Sequence, residues 1–114
     1  MDEDPARAAL VGRWLELTRV VLPAMAGLQR WPIRFDHCFM RVCLDAACGR
    51  PWREAVRAPA VRHLPLDALA RAVAVAERIR AEPAVLAGLN AASLAMRGKV
   101  GGENSPKPPP FFDS

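Results

Sequence analysis

Arginine and aromatic residues alternate in two short stretches of this chain. The first is Arg30-Trp31-Pro32-Ile33-Arg34-Phe35, and the second is Arg50-Pro51-Trp52-Arg53, with Arg57 shortly after it. Guanidinium groups bind phosphates while aromatic rings stack on bases, so this combination is typical of nucleic-acid contacts. Residues 30–62 hold seven Arg and three acidic residues, which concentrates the basic charge there. We therefore predict a nucleic-acid-binding face made of Arg30, Trp31, Arg34, Arg50, Trp52, Arg53 and Arg57.

The same aromatic residues also suit a structural role. Trp31, Phe35 and Trp52 could anchor connecting segments to a hydrophobic core while the Arg side chains extend to solvent along their aliphatic stems. In addition, 14 of the 16 basic residues are Arg, which is equally typical of codon bias in a GC-rich genome. The sequence leaves both interpretations open.

Between the two stretches, the polar residues of segment 36–48 recur at steps of four. This spacing places His37, Arg41 and Asp45 in one row on a helix, with Asp36 beside it. The rest of the segment is apolar, so these groups need partners. One interpretation is a buried ion pair between Arg41 and Asp45 that braces the fold. The other is a polar cleft that holds an anionic or hydrogen-bonding ligand.

A catalytic cysteine is a further hypothesis for this segment. Cys38 would lie in the first turn of the helix, where the helix dipole lowers the pKa of a thiol, and His37 is its sequence neighbour. Adjacent helical residues point about 100° apart, however, so His37 is not automatically a base for this thiol. The charge of Asp36 also opposes thiolate formation. Cys43 lies between Val42 and Leu44, which is typical of a core residue.

The spacing of the three cysteines argues against a metal site. Cys38, Cys43 and Cys48 are five residues apart, and on a helix each step rotates by about 140° beyond a full turn. The three thiols therefore cannot converge on one ion, whereas zinc sites use cysteines two to four residues apart. We predict neither a metal nor a cofactor.

The composition predicts an all-α fold in one domain. Hydrophobic residues make up 52% of the 114 residues, which excludes a wholly disordered chain. Ala, Leu and Arg predominate, and these residues favour helix. Apolar residues recur at three- and four-residue steps in four segments, so we predict a compact four-helix arrangement over residues 1–98. The predicted helices run from Pro5 to before Arg30, from after the N-cap Asp36 through Cys48, from Pro65 to Arg80, and from Pro83 to before Gly98.

Local signals refine these boundaries. Asp4 and Asp36 are the expected N-caps of the first two helices, and Gly49 and Gly98 the expected C-caps of the second and fourth. Pro23 should kink the first helix or end it one turn early. Pro32 keeps the preceding residue out of the helical region, so residues 31–35 should form an extended Trp-Pro connector. Residues 50–64 read as a second connector with one helical turn.

The end of the chain differs in composition from the rest. From Lys99 onward it is rich in Gly and Pro, which predicts a disordered tail over residues 99–114. Its Pro-Pro-Pro-Phe-Phe motif could dock on a protein partner. No apolar run is long enough for a membrane span, and the acidic start is unlike a secretory signal. With an odd number of cysteines, these features predict a cytoplasmic protein that does not contact a membrane.

One block of the sequence resembles a known group. Residues 31–39, Trp-Pro-Ile-Arg-Phe-Asp-His-Cys-Phe, continued by Arg41-Val42 and Leu44-Asp45, resemble a block in short bacterial proteins labelled as GCN5-related N-acetyltransferases. The resemblance extends over residues 10–98. Acetyltransferases of that fold are mixed α/β and bind acetyl-CoA through a Gly-rich loop. This sequence contains no such loop, so the resemblance implies no catalytic residues here.

Taken together, these features predict a small helical binding or regulatory module that engages nucleic acid. The first alternative is a small enzyme or ligand-binding protein that uses Asp36, His37, Cys38, Arg41 and Asp45. The second is a protein-binding adaptor that uses the Pro-rich tail.

Overall fold

Helices form most of the chain that the structure describes. The computed structural model describes residues 4–98, and all regular elements in this range are helical, which confirms the all-α class. The tail and the N-terminal three residues lie outside the described residues. The elements are α1 (Pro5–Glu16), a π-helical segment (Leu17–Val21), α2 (Leu22–Gln29), α3 (Asp36–Cys48), α4 (Trp52–Ala55), α5 (Ala60–His63), α6 (Leu66–Ala81) and α7 (Val85–Met96).

The first helical stretch continues from Pro5 to Gln29 and does not end early at Pro23. The π-helical segment lies directly before this proline, and the N–H of Leu22 donates to the carbonyl of Leu17, five residues back. This wider turn changes the hydrogen-bond register ahead of the residue that has no N–H, so the helix can pass through it. The stretch ends at Arg30, whose φ of 54° is left-handed.

Helix α3 is the central element of the fold. It packs against α6 and α7 and also contacts the π-helical segment. Its buried apolar residues are Cys38, Phe39, Val42, Cys43, Leu44 and Ala47. Gly49 caps its C-terminus with a φ of 72°, as predicted. Asp36 is not the N-cap: Phe35 holds that position, and the carboxylate of Asp36 accepts the N–H of His37 at 2.7 Å within the first turn.

The connector before α3 is fastened to the core by Trp31. The ring of Trp31 meets the ring of Phe39 edge-on, with 5.6 Å between centroids. Its indole Nε1 donates to the carbonyl of Pro83 at 3.2 Å, just before α7. Ile33 is buried beside it. These contacts fix the path of the chain between α2 and α3.

Polar contacts of α1 hold the other side of the molecule. Arg13 binds both carboxylate oxygens of Glu77 on α6, and this hydrogen bond is the main cause that lowers the pKa of Glu77. Arg7 donates to the carbonyls of Val61 (3.0 Å) and Leu64 (2.6 Å) at the end of α5. The connector over residues 50–64 contains two helical turns, α4 and α5, where the sequence predicts one.

The remaining helix starts differ by one or two residues from expectation. Pro65 is the N-cap of α6, and the last helix begins at Val85, because Pro83 and Ala84 form the turn before it. The C-cap of α7 is Arg97, and Gly98, the predicted C-cap, follows it with a φ of 70°. Within residues 4–98, no helix is long and apolar enough to cross a bilayer.

Two phenylalanines four residues apart provide a test of this packing. Phe39 is fully buried, whereas Phe35 is 59% exposed. We expect Phe39→Ala to lower the free energy of unfolding by about 3–5 kcal/mol, because it leaves a cavity beside Trp31. Phe35→Ala should change it by less than about 0.5 kcal/mol. Urea denaturation followed by circular dichroism measures both values, and equal losses would contradict the packing described.

Candidate functional site

A buried carboxylate lies at the centre of the polar residues on α3. Asp45 has no exposed surface. It accepts hydrogen bonds from the backbone N–H of Trp52 (2.9 Å) and from the hydroxyl of Ser93 (2.6 Å). Arg97 adds two more, from Nε at 2.8 Å and Nη2 at 2.9 Å. This contact is bidentate and charge-assisted, which makes it stronger than a hydrogen bond between neutral groups.

Arg41 belongs to the same cluster, but it reaches Asp45 through another residue. Its Nη1 donates to the Ser93 hydroxyl at 2.8 Å, and its Nη2 donates to Oδ1 of Asn90 at 2.8 Å. The predicted ion pair between Arg41 and Asp45 is thus replaced by a salt bridge of Asp45 with Arg97. We call Arg41, Asp45, Asn90, Ser93 and Arg97 the α3–α7 polar cluster.

The relative direction of α3 and α7 explains why Asp45 pairs with Arg97 and not with Arg41. Moving along α3 from Arg41 to Asp45, the contacts on α7 move forward from Asn90 to Arg97, so the two helices run parallel. Asn90, Ser93 and Arg97 are three and four residues apart and therefore lie on one face of α7. That spacing was a signal in the sequence, because Asn90 and Ser93 are the polar side chains of an otherwise apolar helix and Arg97 follows it directly.

The other two residues of the predicted polar strip lie outside this cluster. His37 is exposed, and its ring stacks parallel to that of Phe35, with 5.9 Å between centroids and 4° between planes. Asp36 lies at the surface, with its carboxylate 3.9 Å from Arg19. The strip is therefore divided into an internal part that joins helices and an external part at the start of α3.

The cysteines are mostly internal. Cys38 and Cys43 are fully buried, and burial raises the pKa of Cys43 to about 12. Cys48 is partly exposed, and its pKa is raised by burial and by the charge of Asp45. Because His37 faces solvent while Cys38 is enclosed, the structure does not present the two together to a substrate. Among residues 4–98, no group of three or more His, Cys, Asp or Glu residues is placed to hold a metal ion.

The arginines of the described chain fall into two groups. Outside residues 30–62, each contacts a carboxylate or a carbonyl of the protein: Arg7, Arg13, Arg19, Arg71, Arg78, Arg80 and Arg97. Within residues 30–62, Arg41 is held in the polar cluster. The guanidinium groups of the other six are exposed and form no hydrogen bond or ion pair with residues 4–98. These free arginines are Arg30, Arg34, Arg50, Arg53, Arg57 and Arg62.

The aromatic residues of the predicted face differ in their exposure to solvent. Trp31 is only 9% exposed, so its rings cannot stack on a base, and its assignment to the interface is corrected to the core. Trp52 is half-buried, with the guanidinium of Arg53 at 5.1 Å from its ring centre. Phe35, which could have anchored the connector, instead points its ring outward. Phe35 is not among the residues that the sequence predicts for the interface.

The free arginines lie on both sides of α3 in the sequence. Arg30 and Arg34 precede the helix, Arg50 and Arg53 come shortly after it, and Arg57 and Arg62 lie further along the connector to α6. The 13 residues of α3 make the helix about 20 Å long. The predicted interface is thus two basic groups rather than one continuous cluster. In the comparisons with known proteins, no family model, curated protein or solved structure matches the chain.

The contribution of the α3–α7 polar cluster to stability can be tested by substitution. Asp45→Ala removes the buried carboxylate that pairs with Arg97 and accepts the Ser93 hydroxyl and the Trp52 N–H, so we expect it to lower the free energy of unfolding by about 3–5 kcal/mol. Asp67→Ala is the matched control, because Asp67 is exposed and pairs with Arg71 only at the surface. This control should cost less than about 1 kcal/mol. Chemical denaturation of both variants provides the measurement, and a loss no larger for Asp45 than for Asp67 would argue against the cluster.

The cysteines make a second prediction, which concerns reactivity. In the native protein, iodoacetamide should modify Cys48 first and leave Cys38 and Cys43 unmodified, since burial shields both and keeps Cys43 protonated. Mass spectrometry of the digested protein gives the rate at each position, and protein unfolded in guanidinium serves as the control. Rapid modification of Cys38 in the folded state would contradict its enclosure and favour the catalytic hypothesis.

Proposed function

We propose that this chain is a small helical module that binds nucleic acid through its free arginines. The observation that carries the proposal is the division of the arginines. Those outside residues 30–62 bind a carboxylate or a carbonyl of the protein, whereas six of the seven inside that range form no hydrogen bond or ion pair with residues 4–98. All five arginines that the sequence predicts for the interface belong to the free group.

The absence of internal partners matters for binding a polyanion. An arginine that already pairs with a carboxylate must give up that partner, or share it, before it can bind a phosphate. A free guanidinium has no such competitor and presents its donors in a geometry that matches phosphate. Each phosphate contact also releases counterions from the nucleic acid, which makes the binding favourable and dependent on salt.

The two basic groups are compatible with one nucleic-acid backbone. The phosphates of one strand of a duplex rise by about 3.4 Å each along the helix axis, so the length of α3, about 20 Å, matches the axial rise over roughly six nucleotides. Arg34, before α3, and Arg53, after it, could therefore contact the same nucleic-acid molecule. The acidic residues within 30–62 are few, and Asp45 among them is buried.

The alternatives have less support in the described chain. A catalytic role would need Cys38 to be reachable, and a ligand cleft would need the α3–α7 polar cluster to be open. Asp45, however, already accepts four hydrogen bonds from the protein. The adaptor hypothesis concerns residues 99–114, outside the described residues, and it stays a prediction.

Substitution of single arginines tests the proposal. We expect Arg34→Gln and Arg53→Gln each to weaken binding to a short mixed-sequence oligonucleotide and to reduce the slope of log affinity against log salt by about 1. Arg78→Gln removes the same charge from a residue that pairs with Glu82, and it should have little effect. Fluorescence anisotropy at several salt concentrations measures both quantities.

The wild-type protein sets the reference for these variants. If all six free arginines contact phosphate, its affinity should fall on the order of 10³-fold between about 50 and 200 mM salt. No binding at the lower salt concentration would refute the proposed function. An equal loss in Arg78→Gln would show that net charge alone, and not the free arginines, determines binding.

A further inference from the structure

We infer that the interface selects single-stranded nucleic acid, because Phe35, stacked on His37, presents an exposed ring on which an unpaired base can stack. This inference rests on the proposed function. It adds the form of nucleic acid and a residue that recognises it.

Phe35 is unlike the other aromatic residues of the described chain. Trp14 and Phe39 are fully buried, Trp31 is nearly so, and Trp52 is half-buried under Arg53. Phe35 is 59% exposed. Its ring therefore contributes little to the core, although it lies directly between a free arginine and the central helix. An exposed aromatic ring in a basic surface is the arrangement that single-strand-binding proteins use.

The ring of Phe35 is also held in a defined position. Its backbone is extended, with φ −103° and ψ 153°, at the residue that precedes α3. On one side, the connector is fastened by Trp31, and on the other side, the helix begins at once. The ring of His37, one residue further along, lies parallel to it at 4° between planes. The two rings form a short stack that is already ordered, so the protein loses little side-chain conformational entropy when a base binds against it.

The charges around Phe35 favour binding of the phosphate group next to a base that stacks on its ring. Arg34 is adjacent in sequence, and Arg30 lies on the same connector; both are free. The neighbouring acid, Asp36, would repel a phosphate, but Arg19 lies 3.9 Å from its carboxylate and the N–H of His37 donates to it. A phosphate could thus bind Arg34 while its base lies against Phe35.

This geometry favours single strands over duplexes. Inside a duplex, both faces of each base are covered by neighbouring bases, so a protein ring cannot stack on them without first separating them. In a single strand, the faces of the bases are accessible. The arginines would still bind the phosphates of a duplex, but the contribution of Phe35 would be lost.

Substitution of Phe35 in the full chain tests the inference. The probes are a mixed-sequence single-stranded DNA, the same strand as RNA, and the blunt duplex of that DNA, each followed by fluorescence anisotropy. We expect the wild type to bind at least one of the single strands more tightly than the duplex. Phe35→Ala should weaken that binding by about 5- to 150-fold and leave duplex binding unchanged. Phe35→Trp should retain the preference, because it keeps an aromatic face.

A second variant separates stacking from simple apolar contact. Phe35→Leu keeps an apolar side chain of similar volume but has no ring, so it should lose affinity as Phe35→Ala does. If Phe35→Leu binds as the wild type does, or if Phe35→Ala weakens duplex and single strand equally, the inference is overturned while the proposed function stands. If the wild type binds none of the probes at low salt, the proposed function itself fails. Circular dichroism confirms that each variant is folded.

Discussion

The rest of the structure depends on how the chain satisfies one buried charge, the carboxylate of Asp45. A buried carboxylate is costly unless nearly all of its acceptor sites are used. Here its four hydrogen bonds come from three parts of the chain: the start of α4, the middle of α7, and Arg97 at the end of α7. Meeting this requirement sets α7 parallel to α3 and determines where the chain turns after Gly49. Arg41 and Asn90 extend the same network toward the N-terminal half of α3.

This arrangement also determines which surfaces are available for function. The middle of α3 is covered by α6 and α7, so Arg41 and Asp45 face neighbouring helices. The chain at the two ends of α3 is more exposed. The start of the helix carries Arg34 and Phe35, and the region after its end carries Arg50 and Arg53. The residues that brace the fold and the residues proposed to bind nucleic acid are thus separate sets, although they alternate along the same segment.

Much of the secondary structure could be predicted because its causes are local. Asp4 accepts the N–H of Ala6, and Gly49 adopts a positive φ, as a cap residue at each place should. The errors arose where local rules compete. A proline normally interrupts a helix, but at Pro23 a π-helical turn accommodates it. Asp36 has the chemistry of an N-cap, yet the helix begins one residue earlier, with Phe35 at the cap.

The sequence by itself determined the four long helical stretches, the connector at Trp31 and the concentration of arginine between residues 30 and 62. It also determined that Arg41 and Asp45 lie in one row, because a helix repeats every 3.6 residues. Only the tertiary structure decided that Asp45 binds Arg97, that Trp31 is buried and that Phe35 is exposed. Periodicity fixes the face of a helix on which a residue lies, but not which distant segment covers that face. For this reason the arginines could be counted from the sequence, whereas the free ones could be identified only from the fold.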